Sequence, residues 1–212
     1  VQLVRIDGQA PDPELLARAV ALLAEGALLV YPTDTLYALG GRALDAAAVE
    51  RVREAKGRSP HKPLPVVAAD AEQARTLCGD WPSVAEALAA RFWPGPLTLV
   101  LPAAAGLPQA LTAGAEGVAV RVPGLPLTRA LCAGAGPLVS TSANLAGGPG
   151  PRTCAEAVAA VGESAAQALD AGPGRPVAST IVDLAGSAAR LLRAGAVAWD
   201  EVRAVLRAQG AC

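Results

Sequence analysis

The sequence predicts an α/β fold: a twisted, mixed parallel and antiparallel open sheet flanked by helices. Short apolar strand patterns alternate with segments of helical period along the 212 residues, the layout of sheet and helix layers. Strand patterns near 117 and across 180–193 are set too close together for a purely parallel sheet. A composition of 52% hydrophobic and 17% charged residues supports a substantial core and excludes a disordered chain. One domain over residues 1–212 is expected.

The elements follow in order. VQLVRI reads as a short strand, and DPELLARAVALLAEG as a helix with apolar positions three and four apart and a terminal glycine. ALLVYPT is a buried strand running into DTLYALGG. LDAAAVERVREAKG is a helix whose Leu44, Ala48, Val52 and Ala55 are expected to share a face, with Gly57 ending it. KPLPVVAA reads as a strand. Two short helices follow, the second opened by Ser83 with Glu86 three residues on, a capping-box pattern. PLTLVLPA and GVAVRVP are strands, PLTRALCAG a helix, and PLVSTSA a strand. After GGPGPR, Thr153 and Glu156 repeat the capping-box pattern for TCAEAVAAVG. STIVDL and ARLLRAG pair as a hairpin, and VAWDEVRAVLRAQ is a terminal helix.

Several function classes are excluded early. The longest apolar runs are broken well before the roughly eighteen residues of a membrane span, and the first residues lack the layout of a signal peptide. A cytoplasmic protein with no membrane partner is expected. The four cysteines, Cys78, Cys132, Cys154 and Cys212, form no Cys-x-x-Cys pair and read as buried free thiols. A single histidine, His61, rules out any site built on two histidine ligands. A net charge of -1 argues against a generally basic nucleic-acid binder, so a phosphate site has to be local. Neither G-x-x-x-x-G-K-[ST] nor G-x-G-x-x-G is present.

Of the 18 basic residues, Lys56 and Lys62 are the only lysines, and both lie with His61 inside KGRSPHK. Compact ammonium charges concentrated in one loop suit an anion better than chance placement. Charge at a helix C-terminus, worth ~0.3–1 kcal/mol, explains one basic residue there but not four in a stretch of seven. Four polar clusters follow or end strands, where open α/β sheets place their binding loops: YPTDT, KGRSPHK, RVP and STSAN. Each has a bland alternative. YPTDT also fits a helix N-cap, and STSAN a turn whose side chains bond their own backbone. Arg121 ends GVAVR with its direction unsettled by local alternation.

Taken together and in this order, YPTDTLYALG, KGRSPHKPL, WPGPLTLVL, VAVRVP, STSANLAGGP and STIVDL closely resemble the YrdC-like family of threonylcarbamoyl-adenylate synthases, from about Leu15 to Gly195. The resemblance implies a YrdC-like fold of the short, single-domain type. It also implies condensation of L-threonine, bicarbonate and ATP to threonylcarbamoyl-AMP and pyrophosphate. The product then passes to the tRNA threonylcarbamoyl-transferase machinery, which modifies the adenosine beside the anticodon. Carried over by position, it assigns Thr35, Arg121 and Ser140 to threonine, and Lys56, Arg58, Lys62, Ser142, Asn144 and Arg193 to ATP, with Lys56 and Arg58 as the catalytic pair. Magnesium is implied through the ATP phosphates, with no direct protein ligand. Three positions depart from the family pattern: Ala38 in YALG where many members have glycine, Val67 where some long members have histidine, and Gly150 where a serine reaches ATP. The alternative is a non-catalytic double-stranded RNA- or tRNA-binding module of the same fold; Lys56 with Arg58, and Ser142 with Asn144, favour the enzyme.

Overall fold

The computed structural model describes residues 1–175 and 177–211. Its strands are β1 (Gln2–Arg5), β2 (Leu29–Tyr31), β3 (Ala38–Gly40), β4 (Val66–Val67), β5 (Leu97–Pro102), β6 (Gly117–Arg121), β7 (Leu138–Val139), β8 (Thr141–Ser142), β9 (Gln167–Asp170), β10 (Thr180–Asp183) and β11 (Arg190–Arg193). The helices are α1 (Pro13–Ala24), α2 (Ala46–Ala55), α3 (Ala71–Arg75), α4 (Ser83–Phe92), α5 (Gln109–Thr112), α6 (Pro126–Ala135), α7 (Cys154–Val161) and α8 (Trp199–Ala208).

The mixed parallel and antiparallel pairing is present, divided between two sheets. One runs β1-β9-β2-β3-β8 and the other β11-β10-β5-β6-β4-β7. The centre of the five-stranded sheet is buried on both faces, while its edge strand β1 is largely exposed. In β2, Leu29 and Tyr31 enter one apolar cluster with Leu23 of α1 and Leu127 and Leu131 of α6, while Val30 enters the other with Val49 and Val52 of α2. That split follows directly from the two-residue period of a strand. In the six-stranded sheet, Leu97, Leu99 and Leu101 of β5, Val118 and Val120 of β6 and Val182 of β10 all face the larger cluster. The opposite face, carrying the residues between them, is left for the site.

Local chemistry explains the helix ends. Asp12 caps α1 by accepting from Glu14 N and Leu15 N, and Gly26 follows it at φ +86°. Asp45 caps α2 through Ala47 N and Ala48 N, and Gly57 follows at φ +56°. Leu44 therefore precedes the helix and is 54% exposed, against the expectation that it shares the core face of Ala48 and Val52. Ser83 is also not a cap. It is the first helical residue of α4 behind Pro82, and Glu86 pairs with Arg75 and accepts from Trp81 Nε1 instead. Thr153 does cap α7, accepting from Glu156 N, and Glu156 reaches back to Arg152 N, one residue before the expected partner.

The hairpin of β10 and β11 is observed, and β10 also pairs in parallel with β5. Strand β9 carries no expectation from the sequence: QALD between β1 and β2 shows too little alternation to stand out. PLVSTSA is broken at Ser140. Leu138–Val139 pairs with β4 in one sheet and Thr141–Ser142 with β3 in the other, so the chain changes sheets there. Cys132 and Cys154 are buried free thiols, Cys78 is only half-buried, and Cys212 lies outside the described residues. No helix among the described residues is long and apolar enough to cross a membrane.

Candidate active site

The two-residue period that buries the leucines of β5 sends Thr98 and Val100 to the other face. By the same rule Ala119 and Arg121 of β6 and Ile181 and Asp183 of β10 join them. Ile181 lies beside Thr98, and Ala119 beside Val100. This face floors a cavity of about 470 Å³, walled by Thr33, Thr35–Ala38, Ser140–Ser142 and, from β11, Leu192 and Arg193. Cavities of this size take small-molecule ligands.

Arg121, whose direction the local pattern left open, thus faces the cavity, and it is 6% exposed. Its Nη2 donates to Asp34 Oδ1 and its Nη1 to Thr35 Oγ1 at 3.2 Å, while Nε is buried without a partner. Burial pulls its pKa down, opposed by the Asp34 carboxylate. The hydroxyls beside it are ordered by proton count. Thr33 donates to Leu36 O at 2.7 Å, so in the 3.0 Å contact between Thr33 Oγ1 and Thr35 Oγ1 the proton comes from Thr35. Thr35 is then free to accept from Arg121. YPTDT is no N-cap: strand β3 follows it, not a helix.

Ser140 enters the cavity at the point where the chain changes sheets, its N–H held by Pro65 O at 2.8 Å. Gly40 makes that crossing sterically feasible. A Cβ there would lie 1.7 Å from Val139 O, the carbonyl that accepts from Tyr31 Oη at 2.8 Å.

Of the residues assigned to ATP, Arg58, Ser142 and Arg193 line the cavity. Arg58 Nη2 donates to Pro63 O at 2.7 Å. Arg193 donates from Nε and Nη2 to the backbone and hydroxyl oxygens of Ser179, each at 2.9 Å, and Ser179 Oγ meets Thr98 Oγ1 at 2.8 Å. Lys56, Lys62 and Asn144 are not on the wall. Lys62 is exposed. Lys56, 2% exposed, donates from Nζ to the carbonyls of Ser142 and Asn144, and Asn144 Nδ2 bonds Leu145 O and Gly148 O. Lys56 and Asn144 therefore hold the loop that carries Ser142. Val67 and Ala38, two departures from the family pattern, line the cavity, and the third, Gly150, packs against Leu36.

The sequence does not single out Thr98, and it leaves open whether Ser179 or Thr180 contacts a substrate. The signal was the i, i+2 pattern Ser179, Ile181, Asp183; Thr180 between them turns away to bond Val197 O and N. Among the described residues no three His, Cys, Asp or Glu side chains form a metal-binding group. Asp183, on the cavity wall, is engaged by Arg190, and Asp34 is engaged by Arg121.

The cations crowd one another. Burial, then Arg58, brings the Lys56 ammonium down to about 8; burial, then Arg53, lowers Arg58; burial, then Arg121, lowers Arg193. The unfolded chain keeps the lysine proton to its ordinary 10.5, the folded chain only to about 8. Between these values the unfolded state binds more protons, so folded stability gains as pH rises through the window. Urea midpoints from pH 7.5 to 10 are expected to show this upward contribution in the parent protein relative to Lys56→Met, which has no proton to lose. Parallel pH profiles would contradict it.

An α/β protein with a buried guanidinium, paired hydroxyls and further cations around one cavity has the chemistry to hold anionic small molecules. Residues 21–195 match the family model described as Telomere recombination, Sua5/YciO/YrdC, and the chain belongs to that family. It is 40% identical over 198 residues to the threonylcarbamoyl-AMP synthase of Bacillus subtilis, covering 92% of this chain and 57% of that protein. To the threonylcarbamoyl-AMP synthase of Chromohalobacter salexigens it is 40% identical over 170 residues, covering 80% and 92%. The crystal structure of Pyrococcus abyssi Sua5 complexed with L-threonine superposes with a TM-score of 0.93 at 36% identity, covering 97% of this chain and 61% of the other. Escherichia coli YciO superposes at 0.85 with 26% identity, covering 93% and 97%. The chain thus spans little more than half of the Bacillus and Pyrococcus proteins.

Proposed function

We propose that the chain catalyses the formation of threonylcarbamoyl-AMP from L-threonine, bicarbonate and ATP, releasing pyrophosphate. The observation that carries this reading is the meeting of Thr35, Arg121 and Ser140 with Arg58, Ser142 and Arg193 on one cavity. The threonine bound to the Pyrococcus relative supports it.

In this reading the threonine amine adds to the bicarbonate carbon with loss of water, giving a carbamate. A carbamate oxygen then attacks the α-phosphorus of ATP, and the bond to the β-phosphate bridging oxygen breaks. Arg121 holds the threonine carboxylate, using the Nε that has no partner in the protein. Arg58 and Arg193 neutralise charge developing on the phosphates, and Ser142 donates to a phosphate oxygen. Lys56, buried just behind the cavity wall, spends two of its three N–H bonds on the carbonyls of the Ser142 loop, and we assign its third to a phosphate reaching past that loop. Lys62 and Asn144 stand outside the wall, Lys62 as a solvent-side charge for the phosphates and Asn144 as a support of the Ser142 loop. Magnesium arrives on the ATP phosphates as part of the substrate. No protein nucleophile is needed, so the rate rests on orientation and charge. The product suits transfer to tRNA by a separate enzyme.

Purified protein is expected to release pyrophosphate only when threonine, bicarbonate, ATP and magnesium are all present. Release independent of threonine, or none at all alongside tight RNA binding, would overturn the reading.

A further inference from the structure

The loop that presents Arg58 has no regular structure, yet three of its carbonyls point at one buried group. Arg53, on the last turn of α2, is 6% exposed. Its Nη1 donates to Lys62 O at 2.9 Å, and its Nη2 donates to Ser59 O at 3.2 Å and to Pro60 O. The carboxylate at its side, Glu50, is 60% exposed and only reaches 4.0 Å from Nε. The charge is therefore met by carbonyl dipoles of a single loop, gathered around a planar fork of donors. Arg58 shares this arrangement: its Nε bonds Lys62 O at 3.4 Å and its Nη2 bonds Pro63 O at 2.7 Å, the residue beside it on the cavity wall. One side of the loop is pinned by Arg53, and the other carries Arg58 into the cavity.

We infer that Arg53 is a positioning residue for the phosphates of ATP: by collecting the carbonyls of Ser59, Pro60 and Lys62 it sets the conformation of residues 58–63 and hence the place of Arg58. This rests on the ATP reading above for its kinetic consequence, but not for its structural one. A lysine at position 53 keeps a charge on the same helix but offers a point donor that does not span three carbonyls. The loop then loses its template while α2 stays folded.

The test compares the parent protein with Arg53→Lys and Arg53→Met. Backbone hydrogen exchange of residues 57–63 is expected to accelerate about tenfold in Arg53→Lys, with exchange of α2 unchanged. The KM for magnesium-ATP is expected to rise about five- to tenfold, while the KM for threonine moves less than twofold. Arg53→Met is expected to show both effects more strongly; if it does not fold, Arg53→Lys decides alone. Unchanged loop exchange in Arg53→Lys overturns the inference. So do equal increases in both KM values, or an ATP KM within twofold of the parent. If the parent protein itself shows no threonine-dependent reaction, the proposed function fails, and the exchange measurement still decides the role of Arg53.

Discussion

Replacing Arg121 with lysine is expected to lower kcat/KM for threonine by at least about a hundredfold, ~2.7 kcal/mol of transition-state stabilisation. The charge survives the change, but the fork that serves Asp34, Thr35 and a carboxylate at once does not. Arg121→Ala adds a second cost. Asp34 is only 16% exposed, and removing its partner leaves a largely buried carboxylate uncompensated, about 3–5 kcal/mol of folding stability in comparable buried pairs. Asp34→Asn in the Arg121→Ala background is expected to restore much of that stability and none of the turnover. Steady-state pyrophosphate release against threonine concentration, with urea denaturation of the same proteins, separates the two effects. An Arg121→Lys protein within threefold of the parent would mean that the guanidinium geometry does not bind threonine.

Gly40→Ala is expected to cost ~3 kcal/mol or more, at or beyond the upper end of ordinary overpacking, or to leave no folded protein. The added methyl would meet a backbone carbonyl, Val139 O at 1.7 Å, not the yielding end of a side chain. Relief requires β3 to move from β7 at the crossing that carries Ser140, so any folded remainder is expected to bind threonine poorly. Gly186→Ala, with open space around the added methyl, is the control and should stay within about 0.5 kcal/mol of the parent. Equal denaturation midpoints for the two variants would show that the close approach is tolerated.

Most of the elements were legible because each rests on a local signal. The cap Thr153, the glycines Gly26 and Gly57, and the period-two runs of β5, β6 and β10 act within a few residues of themselves, whereas the caps Asp12 and Asp45 emerge only in the structure. The errors have the same origin. Leu44 matched the helical period but fell before the cap at Asp45, and Ser83 matched a capping pattern whose glutamate is drawn away by Arg75 and Trp81. Strand β9 was missed because its place is set by its neighbours β1 and β2, distant in sequence.

For the site, order and residue type in the sequence selected the polar clusters around Thr35, Arg58, Arg121 and Ser142 and the chemistry they suit, while Arg193 entered only through the family resemblance. Those choices depend on what a side chain can donate, accept or carry, which is a property of the residue itself. Only the tertiary structure decided which way each one faces. Arg121 turns to the cavity because Val118 and Val120 are claimed by the core. Lys56 is committed to two carbonyls some 86 and 88 positions away. Arg53, on the last turn of α2, is the hub of a loop. Each of these outcomes is a competition between partners that the chain brings together only on folding, and no local pattern records who those partners are.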